Sequence, residues 1–441
     1  MLLHIGIDDT DSTKGGCTTY IAARLVETFI HMGIRFIDYP NIIRLNPNVP
    51  YKTRGNAAVA LRVNLHDEHF GTVQDAALRE IEQNSDLERE GTDPAVVFIS
   101  GEPTARIRQF SRRALWDILR VEDAIRIIRS LGESAAAYGT RLGLVGALAA
   151  IGQTLEGDHT YELVAYRTKF NIGNPRQVDE DSVKRMDRLT NPETFNNYDF
   201  ENKRTLITPH GPDPVLLGIR GENAQIVNRA FHLIKIREPV ERWVIFRTNH
   251  GTDAHLQSLP HKTRIEPNRP AALSGTVSEP PWRIPGGHVF FTMESRFGKV
   301  CCAAFEPTGK FRETVATLLP GDTIKVYGAV KENNGNPSLT INLEKIQIRH
   351  LAVKLEMENP TCPTCHKHMK SAGKGQGFRC KNCSTSLPRS GKRFSKQPRA
   401  IHPGLYLPAL RAHRHLTKPI SRYGSENIWD KCPPSGQWHK P

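Results

Sequence analysis

The chain has 441 residues, 38% hydrophobic and 24% charged, with 60 Lys and Arg against 46 Asp and Glu for a formal net charge of +14. That length suits about three domains of ~100–200 residues, and no apolar stretch approaches the ~18–20 residues of a membrane-spanning helix. Asp8, Asp9 and Asp11 stand where a secretory leader would carry its apolar region, so the expectation is a soluble globular protein of the cytoplasm.

The positive excess asks for a polyanionic partner, nucleic acid first, the alternative being a merely soluble basic surface. It contrasts with the opening stretch, HIGIDDTDSTKGGCTTYIAARLVETF over residues 4–29. Leu3, Ile5 and Ile7 alternate as in a strand over 1–10. Ile21, Leu25, Val26, Phe29 and Ile30 share one face of a helix over 18–32. Carboxylates at i, i+1 and i+3 after a strand end can converge on one Mg2+, which favours hard oxygen ligands and substrate phosphates. Lys14, Gly15 and Gly16 let backbone N–H groups approach an anion, and the helix start at Thr18 and Thr19 adds a partial positive charge. Together these residues describe a nucleotide-phosphate site. The plainer alternative makes Asp8 and Asp11 turn residues and Thr18 an ordinary N-cap. A third reading takes Asp9 to Thr13 as DxDxT, the nucleophile motif of haloacid-dehalogenase-like phosphotransferases. The later lysine and acidic pair which that chemistry needs do not stand out.

The next segment, RLNPNVPYKTRGNAAVALRV over 44–63, opens with turn chemistry around Pro47 and Pro50 and ends in a strand over 57–63. Its Lys52 and Arg54 suit a phosphate clamp or, equally, a solvated basic loop. Helical patterns follow around 74–84 and 112–131, then the apolar, small-residue helix GLVGALAAIG over 143–152. Strands alternating with helices make this part α/β or α+β. In a second unit over about 160–265, YELVAYR and PVLLGIRG read as strands. A helix then runs from Glu222 to about Ile236, and RWVIFRT reads as another strand, a β-α-β element of ferredoxin-like character. Asp213, Glu222 and Asp253 lie near loop or strand ends, where a carboxylate could pair with a guanidinium substrate. Arg220, Asn249 and His255 could read a base or ribose.

Five short strands over 273–277, 288–293, 300–305, 323–330 and 339–346 fit an OB-type barrel, a frequent binder of single-stranded nucleic acid. Of eight cysteines, Cys17, Cys301, Cys302 and Cys432 show no framework. Cys362-Pro-Thr-Cys365 and Cys380-Lys-Asn-Cys383, fourteen residues apart, have zinc-ribbon spacing, with an iron–sulfur cluster as the rival. Four cysteines leave no open position, so this zinc is structural. From Arg389 the tail is strongly basic, with only Glu426 and Asp430 opposing.

The segments GIDDTDS…GCTTY, RLNPNVPYKTRGN, GLVGALAAIG, GPDPVLLGIRGE, RTNHGTDAHL, PGGHVFF, the two CxxC pairs and GLYLPALRAHRHLTKP occur in this order along nearly the whole chain. In that combination the sequence resembles the archaeal tRNA 2-agmatinylcytidine synthetases. The resemblance implies a multidomain α/β and α+β chain. It would comprise an ATP-binding kinase-like domain (1–158), a ferredoxin-like domain (159–266), an OB-fold nucleic-acid-binding domain (267–352), a zinc ribbon (353–395) and a basic tail (396–441). It implies a ligase that uses ATP, with AMP and phosphates as products, to join agmatine to the 2-carbon of the wobble cytidine. The tRNA would be the CAU-anticodon isoleucine tRNA, whose decoding shifts from AUG to AUA. It places the phosphate chemistry on Asp8, Asp9 and Asp11 and an autophosphorylated threonine at Thr18. The physics agrees: the cytosine 2-oxygen is a poor leaving group until phosphorylated, and an amine of agmatine can then displace it. Two other readings compete: a non-catalytic OB and zinc-ribbon binder of single strands, and another ATP-dependent phosphotransferase.

Overall fold

Leu3, Ile5 and Ile7 are fully buried on one face of β1 (Leu2–Asp8), as their alternation predicts. The computed structural model describes residues 1–53, 55–257, 259, 265–333, 336–388, 393–428 and 433–441; Arg54 and Cys432 lie outside them. Following β1 come α1 (Thr18–His31), β2 (Arg35–Phe36), β3 (Asn41–Arg44), β4 (Ala57–Asn64), α2 (Phe70–Asn84) and β5 (Ala95–Ser100). Next are α3 (Ala105–Ala114), α4 (Val121–Leu131), β6 (Ser134–Ala137) and α5 (Gly143–Gly152). β1 runs antiparallel between β4 and β5. Its Leu3 face packs on α1 and α2, while α3, α4 and α5 cover the other face. Gly6 lets α5 lie directly on β1, since a Cβ there would sit 2.0 Å from the Ala147 carbonyl oxygen.

The helix expected over 112–131 is two helices. Between them Asp117 accepts hydrogen bonds from the Ile118 N–H (2.8 Å) and from Arg113 (2.9 Å), which turns the chain out of the helical path.

The second unit holds β7 (Thr160–Arg167), α6 (Glu180–Thr190), β8 (Thr194–Phe195), β9 (Tyr198–Asp199), β10 (Arg204–Thr205), β11 (Val215–Gly221), α7 (Ala224–His232), β12 (Val240–Thr248) and the short α8 (Ala254–Gln257). The expected helix from Glu222 is shorter. Asn223 caps it, accepting from the Ile226 N–H at 2.8 Å. The helix α6 was not foreseen, although its Asp179 cap accepts from the Ser182 N–H at 3.0 Å. β12 pairs in parallel with β3 and antiparallel with β7, so both units share one sheet in the order β6-β5-β1-β4-β3-β12-β7-β11-β8.

β13 (Pro270–Val277), β14 (Trp282–Ile284), β15 (His288–Ser295), β16 (Gly298–Ala304), α9 (Lys310–Ala316), β17 (Thr323–Asn333) and β18 (Asn336–His350) form the third unit. The order β13-β17-β18-β16-β15 closes through β13–β15 pairing, giving a five-stranded barrel around Phe291, Ile324, Val326 and Ile341. β19 (Lys354–Glu358) leads into three short strands, β20 (Lys370–Ser371), β21 (Phe378–Arg379) and β22 (Ser386–Leu387), and β23 (Arg393–Gln397) returns antiparallel to β19.

The tail then folds back over the molecule. β24 (Gly404–Tyr406) joins β18, and β25 (His439–Lys440) joins β12. The basic residues of this tail are therefore not all free to meet a polyanion. Lys418 and Arg422 are 1% exposed. Arg422 pairs with Asp158 (2.7 Å) and Glu222 (2.7 Å), and Lys418 pairs with Asp158 (3.0 Å) and Glu426 (2.6 Å). Charges buried in such pairs are withheld from a polyanion.

Candidate active site

Asp8 ends β1, and Asp9 follows with φ +60°, a left-handed turn that an aspartate tolerates better than most residues. This turn keeps the carboxylates of both residues, and of Asp11, beside one cavity. Asp8 reaches across to α5, where a Cβ on Gly146 would stand 1.7 Å from its Oδ2. Burial, with the charges of Asp9 and Asp11, holds Asp8 well above the usual carboxylate range. Burial, with Asp11 and Asp93, pushes Asp9 up to about 7. Asp93 belongs to this acidic group and was missed in the sequence, where Asp-Pro before an apolar strand reads only as a turn. Its carboxylate accepts from the Thr140 N–H (2.7 Å) and hydroxyl (2.5 Å). The aspartates thus form a crowded, desolvated group of hard oxygens, although among the described residues the four cysteines alone bring three or more ligand atoms within 4.8 Å of one another.

Ser12 and Gly15 exchange backbone hydrogen bonds (2.8 and 3.3 Å) and reverse the chain. Gly16, at φ +76°, passes so near Thr10 that a Cβ would meet its carbonyl oxygen at 2.8 Å. The Lys14-Gly15-Gly16 stretch therefore makes the turn that brings the α1 start back to the aspartates. Lys14 is exposed at its tip, and none of the three lines either cavity described here. The N-cap of α1 is Cys17, not Thr18, and its side chain makes no capping bond. Thr18 instead accepts from the Thr10 hydroxyl at 3.0 Å.

Two cavities meet at Asp11. The first is lined by Asp8, Asp9, Asp11, Tyr51, Lys52 and Asn56. Lys52 lies on the 44–57 loop and donates to the Pro47 carbonyl; partial desolvation of its ammonium and the charge of Arg414 hold it below the usual lysine range. The second, of about 570 Å³, is lined by Asp11, Thr18, Arg44, Glu162, Asp213 and Arg220, and by His415 from the tail. Asp213 is buried there and accepts from the Val215 N–H (3.0 Å) and Arg176 (3.2 Å).

Glu222 lies apart from both cavities, its carboxylate taken by Arg422 and Asn427. Asn249 and His255 are structural. Asn249 bonds the backbone of Arg44 on both sides (2.8 and 2.9 Å), and His255 is buried on Glu344 at 2.8 Å. Asp253 is buried with Lys345, Tyr423 and the Lys418 N–H. Of the polar residues singled out near 213–255, Asp213 and Arg220 reach the cavity. Glu162 and Arg44 are invisible as site residues in the sequence, since each sits within an ordinary strand pattern.

Far along the chain, the sulfurs of Cys362, Cys365, Cys380 and Cys383 all lie within 4.8 Å of one another, with separations of 3.4, 3.4 and 3.7 Å. A tetrahedral zinc with ~2.3 Å bonds needs sulfurs about 3.8 Å apart, so the set fits with little movement. The residues after each pair, His366 and Ser384, both take φ near +60° (+59° and +60°), closing two equivalent knuckles.

Family models match in chain order: the TiaS TCKD domain at residues 4–140, the TiaS FLD domain at 142–255, an OB-fold nucleic acid binding domain at 271–349 and the TiaS C-terminal zinc ribbon domain at 359–401. The isoleucine-tRNA 2-agmatinylcytidine synthetase TiaS of Archaeoglobus fulgidus is 42% identical over 426 residues, covering 97% of this chain and 99% of that protein. Two solved structures superpose over 96% of this chain and 97% of theirs. The complex of TiaS with its isoleucine tRNA and ATP does so with 41% identity and a TM-score of 0.86, and the complex of TiaS with that tRNA, AMPCPP and agmatine with 39% and 0.83. Identity at this level along the whole length, on the same arrangement of sheet, barrel and ribbon, means that the chain belongs to the TiaS family of isoleucine-tRNA 2-agmatinylcytidine synthetases.

Proposed function

We infer that this protein is an ATP-dependent ligase that joins agmatine to the 2-carbon of the wobble cytidine in the CAU-anticodon isoleucine tRNA. One observation carries the reading: Asp11 stands at the junction of an acidic cavity, suited to a metal-bound nucleotide, and a second cavity containing Thr18 and Asp213. Asp8, Asp9 and Asp11 would hold Mg2+, which when bound supplies charge neutralisation on the transferring phosphoryl group. Lys52, on the 44–57 loop, would clamp the nucleotide phosphates. Lys14, Gly15 and Gly16 act indirectly, by setting the turn before α1. Thr18 faces the second cavity from the first turn of α1, where a phosphorylated hydroxyl would meet the helix's positive end.

An anticodon loop can splay its cytidine into the second cavity, since single-stranded bases are read once unstacked. Asp213, which lines the second cavity while also partnering Arg176, is the carboxylate for the agmatine guanidinium; Glu222, paired with Arg422 away from both cavities, is not. Zinc in the ribbon is structural, and the barrel and ribbon hold the tRNA outside the anticodon. The test is incorporation of radiolabelled agmatine into an unmodified transcript, with and without ATP, and with the wobble cytidine changed to uridine. ATP-dependent label that vanishes with uridine is expected. Asp8→Ala and Asp11→Ala are expected to abolish ATP turnover while leaving tRNA affinity within about threefold. ATP turnover surviving both changes would overturn the metal assignment.

A further inference from the structure

We propose that Arg44 and Arg220 form a phosphate-binding pair on the wall of the second cavity, holding a phosphate group beside Thr18. The two come from opposite halves of the joined sheet, Arg44 from the end of β3 and Arg220 from near the end of β11. A single chain of polar contacts fixes both guanidinium planes. Arg44 Nε donates to His250 Nε2 at 2.6 Å, and His250 Nδ1 lies 2.8 Å from Glu162 Oε2. Glu162 Oε1 accepts from Arg220 Nε at 3.1 Å, and Arg220 Nη2 donates to His415 Nδ1 at 3.0 Å. His415 also packs against His250, with ring centroids 5.1 Å apart and the planes tilted by 32°.

The charges in this lattice do not cancel. Burial holds His250 down to about 4 and His415 well below the usual imidazole range, so both rings are neutral. Within this lattice two guanidinium ions therefore share one carboxylate, with Asp11 adding a weaker attraction to Arg44. Their proximity is costly: burial, with the repulsion of Arg220, lowers Arg44 to about 10. Both terminal nitrogens of Arg44, and Nη1 of Arg220, hydrogen-bond to no described residue. A fork of fixed planar donors with surplus charge suits a phosphate. Asp11 and Asp213 line the same cavity and suit a cation. Cys17, Thr18 and Thr19, at the start of the 14-residue α1, line the same cavity and add the helix's positive end to the arginines. His415 acts as a positioning residue, holding the Arg220 plane from the tail.

The source of the phosphate rests on the functional reading above. It is either the phosphoryl group on its way to the cytidine 2-oxygen or a backbone phosphate of the anticodon loop. Three measurements on the full-length protein separate these. The first is thermal stabilisation by inorganic phosphate as the probe, which needs no reaction. The second is agmatine incorporation at saturating tRNA. The third is the tRNA Kd as a function of salt. The variants are Arg220→Gln, Arg220→Lys, Arg44→Lys, His415→Asn and His415→Leu.

Wild type is expected to be stabilised by phosphate, and Arg220→Gln is expected to lose that shift. If the phosphoryl group is bound, Arg220→Gln lowers the turnover rate about 100-fold with tRNA Kd unchanged. If a backbone phosphate is bound, tRNA Kd rises about tenfold and its salt slope falls by about one. The lysine variants keep the charge and recover part of the loss, which separates an electrostatic role from misfolding. His415→Asn, which can still accept from Arg220, retains more turnover than His415→Leu. Phosphate shift, turnover rate and tRNA Kd all within threefold of wild type in Arg220→Gln would overturn the proposal. Wild type that is stabilised by phosphate but incorporates no agmatine would instead overturn the functional reading and leave the site standing.

Discussion

Asp9 combines a left-handed backbone with a carboxyl raised to about 7 by burial and by the charges of Asp11 and Asp93. In the metal-free protein the folded chain keeps a proton on Asp9 that the unfolded chain releases near pH ~3.9. Stability from this group therefore falls as pH rises between about 4 and 7, then levels off. A divalent cation replaces the proton, so the gain in Tm on adding Mg2+ is expected to grow from about pH 5 to about pH 7.5. Scanning fluorimetry of wild type against Asp9→Asn checks this, because the asparagine reduces both trends and leaves the share carried by Asp8. A Mg2+ gain that ignores pH in both proteins would dissociate the metal from these carboxylates. Gly146 gives a second test. Alanine favours a helix interior by ~1 kcal/mol, yet its Cβ would stand 1.7 Å from Asp8 Oδ2. Gly146→Ala is expected to lower ATP turnover at least tenfold while the circular dichroism of the fold is kept.

Some elements are self-contained and others borrow their order. The two cysteine knuckles close through local bonds, Cys362 N–H to the Lys367 carbonyl (2.8 Å) and Cys380 N–H to the Thr385 carbonyl (2.8 Å), around a small core of Met369 and Phe378. Such a module depends on its metal for stability. Cys362→Ser is expected to abolish bound zinc, read by atomic absorption, and to weaken tRNA binding without shifting the main melting transition. Unchanged tRNA affinity would remove the ribbon from the RNA-binding account. The helices α1 and α5 were readable because their own spacing and composition place them on a sheet. The break between α3 and α4 was not, because Asp117 is held partly by Arg269 at 2.8 Å, a residue from just before the barrel.

Across the whole molecule, the tail ties three units together. Arg414 reaches Asn48 (2.5 Å) and Glu344 (3.2 Å), His415 lines the second cavity, and Arg422 is locked between Asp158 and Glu222. Removing one partner of such a cluster strands the other charges in a low-dielectric setting, at about 3–5 kcal/mol. Arg422→Ala is expected to lower stability by roughly that amount in a denaturant titration, with agmatine incorporation falling as the tail detaches. A loss below about 1 kcal/mol would mean that the strap is a surface feature rather than a structural one.

What the sequence determined by itself was whatever depends on short-range pattern. That covers the strand ending in three carboxylates, the apolar stripe of α1, the five-strand rhythm of the barrel and the two cysteine pairs, whose ligand geometry is set by two-residue gaps. The tertiary structure alone decided what depends on distant partners. It joined two predicted units into one sheet through β3 and β12, and drew Asp93 to Asp9. It turned Glu222, Lys418 and Arg422 from open charges into partners in buried ion pairs. A charged side chain carries the same letter whether it faces solvent, a ligand or an opposite charge, and only the packing around it fixes which of these it meets.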